Sequence, residues 1–188
     1  YHLAVAQVAA GKLPEARKNL ARAFSLRNNA LEDSSLFFIY QGIAYYRYAT
    51  GRLGSALRNV HRAGEFVRRA GLPYEGMLWR ELLGHVLILT GETQAGLAEL
   101  DFAVSLAKGV ERREQVRSLK TAAIIYRARY LDDSKVALAT LRAELKDLVA
   151  GDRYSRASLL LELARQETLA KRLLPARQAV AEASRLIL

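Results

Sequence analysis

Cysteine is absent from this chain, which excludes disulfide bonds and thiolate metal sites and is typical of proteins from a reducing compartment. Only three prolines occur in 188 residues, so few helices are expected to be interrupted. No stretch approaches the ~20 consecutive apolar residues that a membrane-spanning helix needs. We therefore expect a helical, cytoplasmic protein without a membrane span.

Catalytic and metal-binding patterns are also missing. The three histidines are His2, His61 and His85, and none has a second histidine three or four residues later, as a helical zinc pair would. The segment GRLGSA at residues 51–56 lacks the spacing and the lysine of a phosphate-binding loop. No serine or threonine is accompanied in the sequence by the partner residues of a catalytic triad. We expect no enzymatic activity, no metal and no cofactor.

The composition is that of a folded and strongly basic protein. Hydrophobic residues make up 51% of the chain, charged residues 26%, and the net charge is +10. Basic residues are locally concentrated at residues 16–22, 68–70 and 111–120. This excess suits an acidic protein partner, a nucleic acid or a solvated arginine-rich surface, and these alternatives stay open at the level of sequence.

An internal repeat with a period of forty residues runs through the whole chain without gaps. The repeated blocks begin at residues 11, 51, 91, 131 and 171 and read GKLPEARKNLARA, GRLGSALRNVHRA, GETQAGLAELDFA, LDDSKVALATLRA and KRLLPARQAVAEA. A fixed period in this range indicates a stacked array of identical supersecondary units. Such an array is typically a surface that holds another molecule.

Small and large residues alternate within each block. The small positions are six and thirteen, occupied by Ala16, Ala56, Gly96, Val136 and Ala176 and by Ala23, Ala63, Ala103, Ala143 and Ala183. The large position is ten, occupied by Leu20, Val60, Leu100 and Val180, with Thr140 in the fourth unit. We expect the small residues to let two helices approach and the large one to fill the gap, so that Leu100 is almost fully buried. The fourth pair, with Thr140 and with Leu131 at the turn, is expected to pack less tightly.

Helical spacing of apolar residues predicts ten helices and no strands. The predicted helices lie near residues 1–10, 13–27, 34–50, 53–69, 74–90, 93–108, 112–130, 134–149, 153–170 and 173–187. We expect them to form one domain over residues 1–188, as a fragment of a longer chain.

The pattern resembles the tetratricopeptide repeat (TPR). The Leu-small pair of that family is matched by Leu3-Ala4, Ile43-Ala44, Leu83-Gly84 and Leu163-Ala164, and its turn glycine by Gly11, Gly51 and Gly91. Trp79 lies one place away from the family tryptophan, and the family proline after the second helix is missing. The resemblance implies an all-α, right-handed superhelical solenoid of about five antiparallel helix pairs. Units of forty residues are similar to those of MalT-like bacterial regulators.

The resemblance also implies a binding face. The family's groove positions correspond here to Gln41, Tyr45, Tyr48, Glu81, His85, Ile88, Thr121, Ile125, Arg129 and Arg165. Tyr45 and Tyr48 belong to the aromatic stretch at residues 37–48, and the competing interpretation is that they pack between helices. For His85 the competing interpretation is a buried, neutral histidine.

We therefore predict a non-catalytic scaffold or sensor module that binds a protein or peptide segment, within a larger bacterial signalling or transcription-regulatory protein. Two alternatives remain. One is a small-molecule-sensing pocket in the concave face, and the other is a basic nucleic-acid-binding platform. A nucleic-acid site needs basic faces joined to stacking aromatics, whereas the aromatic residues cluster in a stretch with few charges.

Overall fold

The computed structural model describes residues 2–29, 32–109, 112–148 and 152–187, and these residues contain ten α-helices and no strand. The helices are α1 His2–Ala9, α2 Leu13–Ser25, α3 Asp33–Ala49, α4 Leu53–Ala70, α5 Pro73–Leu89, α6 Thr93–Gly109, α7 Arg113–Tyr130, α8 Ser134–Asp147, α9 Arg153–Leu169 and α10 Leu173–Ile187. The predicted all-α repeat fold is confirmed, and each described helix end lies within two residues of its predicted place. The predicted ends at residues 1 and 149 lie outside the described residues.

The helices fall into two compact units. The first, Tyr1–Arg112, contains α1 to α6, and the second, Arg113–Leu188, contains α7 to α10. Within the units, each odd-numbered helix packs against the helix that follows it. The expectation of one domain over residues 1–188 stays a prediction.

The forty-residue period is visible in the backbone hydrogen bonds that close the five turns. In every unit the amide that follows the turn residue donates to the carbonyl five residues earlier, from Lys12 to Gln7, Arg52 to Arg47, Glu92 to Leu87, Asp132 to Arg127 and Arg172 to Glu167. Gly11, Gly51 and Gly91 have φ of 71°, 71° and 98°, the left-handed conformation that ends helices and favours glycine. Lys171 takes the same conformation in the fifth unit.

The fourth unit departs from the predicted register. Asp133 caps α8, because its Oδ1 accepts hydrogen bonds from the amides of Lys135 and Val136, and the helix begins one residue later than its counterparts. The buried face is shifted by one residue accordingly, to Ala137, Leu138 and Leu141. The predicted core positions in this unit are therefore wrong, since Val136, Thr140 and Ala143 are exposed.

The fifth unit departs at the large position. Val180 is 45% exposed, whereas Ala176, Ala179 and Ala183 are buried, so the prediction that Val180 fills a gap is wrong. The equivalent Val60 is completely buried beside α5, the helix that follows it.

The α8 helix is expected to open more readily than α4 and α6, the second helices of the two best-buried units. It has three buried residues, whereas α4 and α6 have six each, and fewer buried contacts lower the free energy of local opening. We predict that amides in the middle of α8 exchange with deuterium at least about ten-fold faster than those of α6, equal to about 1.4 kcal/mol. Hydrogen exchange measured by NMR checks this, and equal protection of α8 and α6 would contradict it.

Candidate functional site

The first unit contains a cavity of about 370 Å³, which we call the tyrosine cavity. It is bounded by the first helices of three consecutive repeats, α1, α3 and α5. Its lining residues are Val5, Gln41, Tyr45, Tyr48, Leu78, Glu81, Leu82 and His85. Five of the ten predicted groove residues are thereby brought together around one space.

Aromatic side chains form one wall of this cavity. The rings of Tyr45 and Tyr48 are stacked with centroids 6.2 Å apart, and the Tyr48 and His85 rings are also 6.2 Å apart. Both tyrosines are half-buried. They pack against the core of the unit and also line the cavity, so packing between helices does not prevent them from lining a binding site. Tyr46 lies between them in sequence but lines a different cavity.

Gln41 supplies a buried polar group to the same cavity. Its side chain is only 5% exposed, and its Nε2 donates a hydrogen bond of 2.8 Å to the carbonyl of Leu78 on α5. Its Oε1 is also buried and has no hydrogen-bond partner among the described residues. A buried carbonyl oxygen of this kind is costly to leave unpaired, so it favours a ligand that donates a hydrogen bond.

The electrostatics of the cavity are set by burial. Burial lowers the pKa of His85 from 6.5 to about 4, so the imidazole is neutral at pH 7. Burial raises the pKa of Glu81, whose Oε1 lies 4.0 Å from the Nε2 of His85. The pKa of Tyr45 is raised by burial and then by the charges of Tyr48 and Glu81. Among the described residues no lysine or arginine lines the cavity, and Glu81 is the one acidic residue in its lining.

The other predicted groove residues lie elsewhere. Ile88 is buried and packs at the close approach of α5 and α6, where a Cβ on Gly96 would lie 2.6 Å from its Cγ1. Thr121 is buried, and Ile125 packs against the core of the second unit. Ile88 and Thr121 are buried and Ile125 is half-buried among core side chains, and their predicted role in the groove stays a prediction.

Arg129 and Arg165 in the second unit share a buried carboxylate. Glu162 accepts a hydrogen bond of 3.0 Å from Nε of Arg129 and one of 3.1 Å from Arg165. Gln166 also donates to Glu162 and to the carbonyl of Ala128. Both arginines remain partly exposed, so the pair presents basic groups held in place from beneath.

Several residues of these sites were not predicted. Val5 lies forty residues before Tyr45 and eighty before His85, so the repeat register itself carried the signal. Leu78 and Leu82 were not among the predicted groove residues, and both line the cavity. The sequence has no comparable signal for Glu162. Its burial depends on Arg129 and Arg165, and only the folded structure shows that these two arginines contact it.

A second cavity of about 400 Å³ lies between α2, α3 and α4 and was also not predicted. It is lined by Arg17, Leu20, Ala21, Phe24, Ile43, Tyr46, Arg47, Arg52 and Asn59. Three arginines and, among the described residues, no carboxyl group line it, whereas the tyrosine cavity is lined by Glu81 and by no arginine.

Acidification is expected to weaken the fold through His85. The unfolded chain takes up a proton near pH 6.5, but the folded chain resists this until about pH 4, so stability falls as the pH is lowered between these values. The loss is at most about 3.5 kcal/mol, at about 1.4 kcal/mol per pH unit. The raised pKa of Glu81 acts in the opposite sense, because the folded state then retains a proton that the unfolded state releases above pH 4.5.

Urea unfolding at several pH values, for the parent chain and for His85→Gln, measures this contribution. We expect the decline in the free energy of unfolding between pH 7 and pH 4 to be smaller in His85→Gln. The exposed His61→Gln variant is the matched control and should decline as the parent does. Equal slopes for the parent and His85→Gln would contradict the assignment.

Solved structures share this fold. BtubC (BKLC) from P. vanneervenii matches with a TM-score of 0.66 and 18% identity, over 98% of this chain and 76% of that chain. A protein named as a kinesin light chain of Podosopora anserina, with nearly identical TPR-like repeats, matches with a TM-score of 0.66 and 14% identity, over 98% of this chain and 92% of that chain. This chain has a TPR-like repeat fold. No protein-family model and no curated protein sequence matches it.

Within the described part of the chain, no helix combines the length and the apolarity needed to cross a membrane. The same part of the chain contains no group of three or more His, Asp or Glu side chains that would hold a metal ion.

Proposed function

We propose that this TPR-like chain is a non-catalytic module that holds a segment of a partner protein, and that the tyrosine cavity is its binding site. The observation that carries the proposal is the convergence of Tyr45, Tyr48 and the unpaired Oε1 of Gln41 on one space. Tyrosine offers rigid contact area with a polar end, and protein interfaces are enriched in it. The helices that line the cavity, α1, α3 and α5, belong to consecutive repeats. The resemblance to the TPR family implies a peptide-binding groove that is formed in the same way.

A small-molecule sensor is the second candidate. A volume of about 370 Å³ falls within the range of ligand sites, roughly 300–1,000 Å³. Apolar side chains from Val5, Leu78 and Leu82 accompany the polar ones, as is usual in such sites. A thermal shift with a metabolite, abolished by a cavity substitution, would favour this candidate over a protein segment.

The basic charge of the chain favours acidic groups on the partner outside the tyrosine cavity. The arginine-lined cavity of the first unit and the arginines around Glu162 in the second are where acidic side chains would be received. A nucleic acid is the alternative occupant of such surfaces. It would be recognised by a steep loss of affinity with salt, since phosphate contacts release counterions.

We further propose that the module belongs to a larger bacterial signalling or transcription-regulatory protein of the cytoplasm. The support is the forty-residue period, which is similar to that of MalT-like regulators, together with the absence of cysteine. Sequencing of the gene on both sides of these 188 residues tests this proposal. A nucleotide-binding switch or a DNA-binding domain in the same reading frame is expected.

A random peptide library displayed on phage tests the binding function. We expect the parent chain to enrich a defined set of peptides, and the Tyr45→Ala/Tyr48→Ala double variant to lose at least about ten-fold in affinity for them, or about 1.4 kcal/mol. The matched control is Tyr154→Ala in the second unit, which removes an exposed tyrosine and should bind as the parent does.

Folding of the double variant is checked by circular dichroism. If it fails to fold, the Tyr45→Phe/Tyr48→Phe variant keeps the packed rings and removes only the hydroxyl groups, and it should still bind more weakly. Enriched peptides that bind the folded cavity variants as well as the parent would exclude the tyrosine cavity as the site. The absence of any enriched peptide would exclude peptide binding.

A further inference from the structure

We infer that the tyrosine cavity selects a cationic side chain, lysine or arginine, from the segment that it holds. The inference rests on the proposed function, because it names the group that enters the cavity. Three features carry it, namely the Glu81 carboxyl group without a lysine or arginine partner among the described residues, the tyrosine rings that line the cavity, and the unpaired Oε1 of Gln41.

The carboxylate is the first feature. The two buried carboxylates of the described chain are neutralised by arginine: Glu162 by Arg129 and Arg165, and Glu167 by Arg142 and Arg172. Glu81 is half-buried, with 33% of its side chain exposed. No lysine or arginine of the described residues lies within ion-pair distance of Glu81. The one basic group near it is His85, which burial keeps neutral at pH 7. A cationic ligand would neutralise the Glu81 carboxylate as the arginines neutralise those of Glu162 and Glu167.

The aromatic rings are the second feature. A cation placed over the face of a tyrosine is attracted by the ring quadrupole, most strongly where the site is sheltered from water. The chain uses this contact elsewhere, with arginine guanidinium groups 4.0 Å from the Phe24 ring and 4.4 Å from the Trp79 ring. The rings of Tyr45 and Tyr48 carry no such arginine within the described residues, although they stand beside Glu81.

The acceptor is the third feature. The Nε2 of Gln41 is already engaged with the carbonyl of Leu78, which leaves Oε1 as the group that needs a donor. An ammonium group has three donors and a guanidinium group has five, and neither has an acceptor that would face the carboxylate of Glu81. A ligand carboxylate or phosphate would instead meet Glu81 with no basic group nearby.

The Glu81 carboxylate and the net charge of the whole chain act in opposite directions on a cationic ligand. The net charge of +10 repels a cation at long range, but this repulsion is screened beyond about 10 Å at 0.1 M salt. The attraction by the half-buried Glu81 carboxylate at contact distance is screened less. Binding of a cationic group should therefore change little, or strengthen, as salt is raised, which is the reverse of the behaviour of an acidic partner.

Titration of the full 188-residue chain with N-acetyl-arginine amide and N-acetyl-lysine amide tests the inference. The probes are followed through the ring resonances of Tyr45 and Tyr48 in NMR spectra. N-acetyl-citrulline amide has nearly the same shape as the arginine probe without its charge. We expect the cationic probes to bind at least ten-fold more tightly than the citrulline probe.

The matched variants are Glu81→Gln and Glu65→Gln, which remove one carboxylate inside the cavity and one exposed carboxylate of the same unit. We expect Glu81→Gln to abolish the preference for the cationic probes and Glu65→Gln to retain it. Gln41→Leu should weaken the cationic probes several-fold, because it removes the acceptor while leaving the charge. Binding also lowers the pKa of Glu81, which an NMR titration of its carboxylate carbon records.

The outcomes separate this inference from the proposed function. Equal binding of the arginine and citrulline probes, or an unchanged preference in Glu81→Gln, would overturn the inference. If library peptides still depended on Tyr45 and Tyr48, the proposed function would stand. Failure of the cationic probes together with failure of the whole library would reject both.

Discussion

Replacement of Trp79 by alanine is expected to lower the free energy of unfolding by about 3–5 kcal/mol, the range for loss of a large buried aromatic side chain. Trp79 is 6% exposed, and its Nε1 donates a hydrogen bond of 3.0 Å to the carbonyl of Val60 on α4. The ring occupies the space left by Gly64, where an added Cβ would lie 2.5 Å from it. Removal of the ring therefore opens a void between α4 and α5.

Unfolding of Trp79→Ala is best followed by circular dichroism in urea, because Trp79 is the only tryptophan and its fluorescence is lost with it. Trp79→Phe should lose less than Trp79→Ala, since it retains part of the packed ring but not the Nε1 donor. Phe102→Ala is the control for loss of an exposed aromatic side chain on the next helix. A loss below about 1 kcal/mol in Trp79→Ala, in the range of surface substitutions, would refute the assigned role.

Leu100→Ala is expected to lose about 2–5 kcal/mol, the range for truncation of a buried leucine. Leu100 is fully buried, as its repeat position predicts. It packs where α5 and α6 approach most closely, because a Cβ on Gly84 would lie 2.7 Å from the carbonyl oxygen of Gly96 and 2.9 Å from Cγ of Leu100. The two helices are already in close contact there, so they cannot move closer together to fill the space that the shorter side chain would leave.

The matched control for Leu100→Ala is Val180→Ala, which truncates the same position of the repeat where it is exposed. We expect Val180→Ala to change the free energy of unfolding by less than about 1 kcal/mol, since exposed substitutions have small effects. Both values come from urea unfolding under two-state conditions. Equal losses in the two variants would mean that repeat position, rather than burial, sets the energetics, and would contradict the role assigned to Leu100.

Much of the fold could be predicted because it depends on local and periodic features. Glycine at residues 11, 51 and 91 ends a helix by its own conformational freedom, and the structure shows the left-handed φ that this requires. Apolar residues at helical spacing placed each described helix end within two residues. The register also brought Tyr45 and His85 to equivalent positions on neighbouring helices, and both line the tyrosine cavity.

The candidate site could be predicted only in part. Ile88 occupies a groove position of the family. Gly84 and Gly96 allow α5 and α6 to approach so closely that the Ile88 side chain is enclosed between these two helices. Nothing local to Ile88 signals this, since the distance between helices depends on residues of both. Val5, at the place in the first unit equivalent to Tyr45 and His85, was available from the same register.

The sequence by itself determined the period, the helices and the turns, because hydrogen bonding and helix propensity act over a few residues. Only the tertiary structure decided the shifted face of α8, the exposure of Val180 and the neutral state of His85. It also decided that Glu162 is clamped by arginines while Glu81 is not. Burial and charge pairing are properties of side chains that meet from distant turns, so they arise only when the helices have packed.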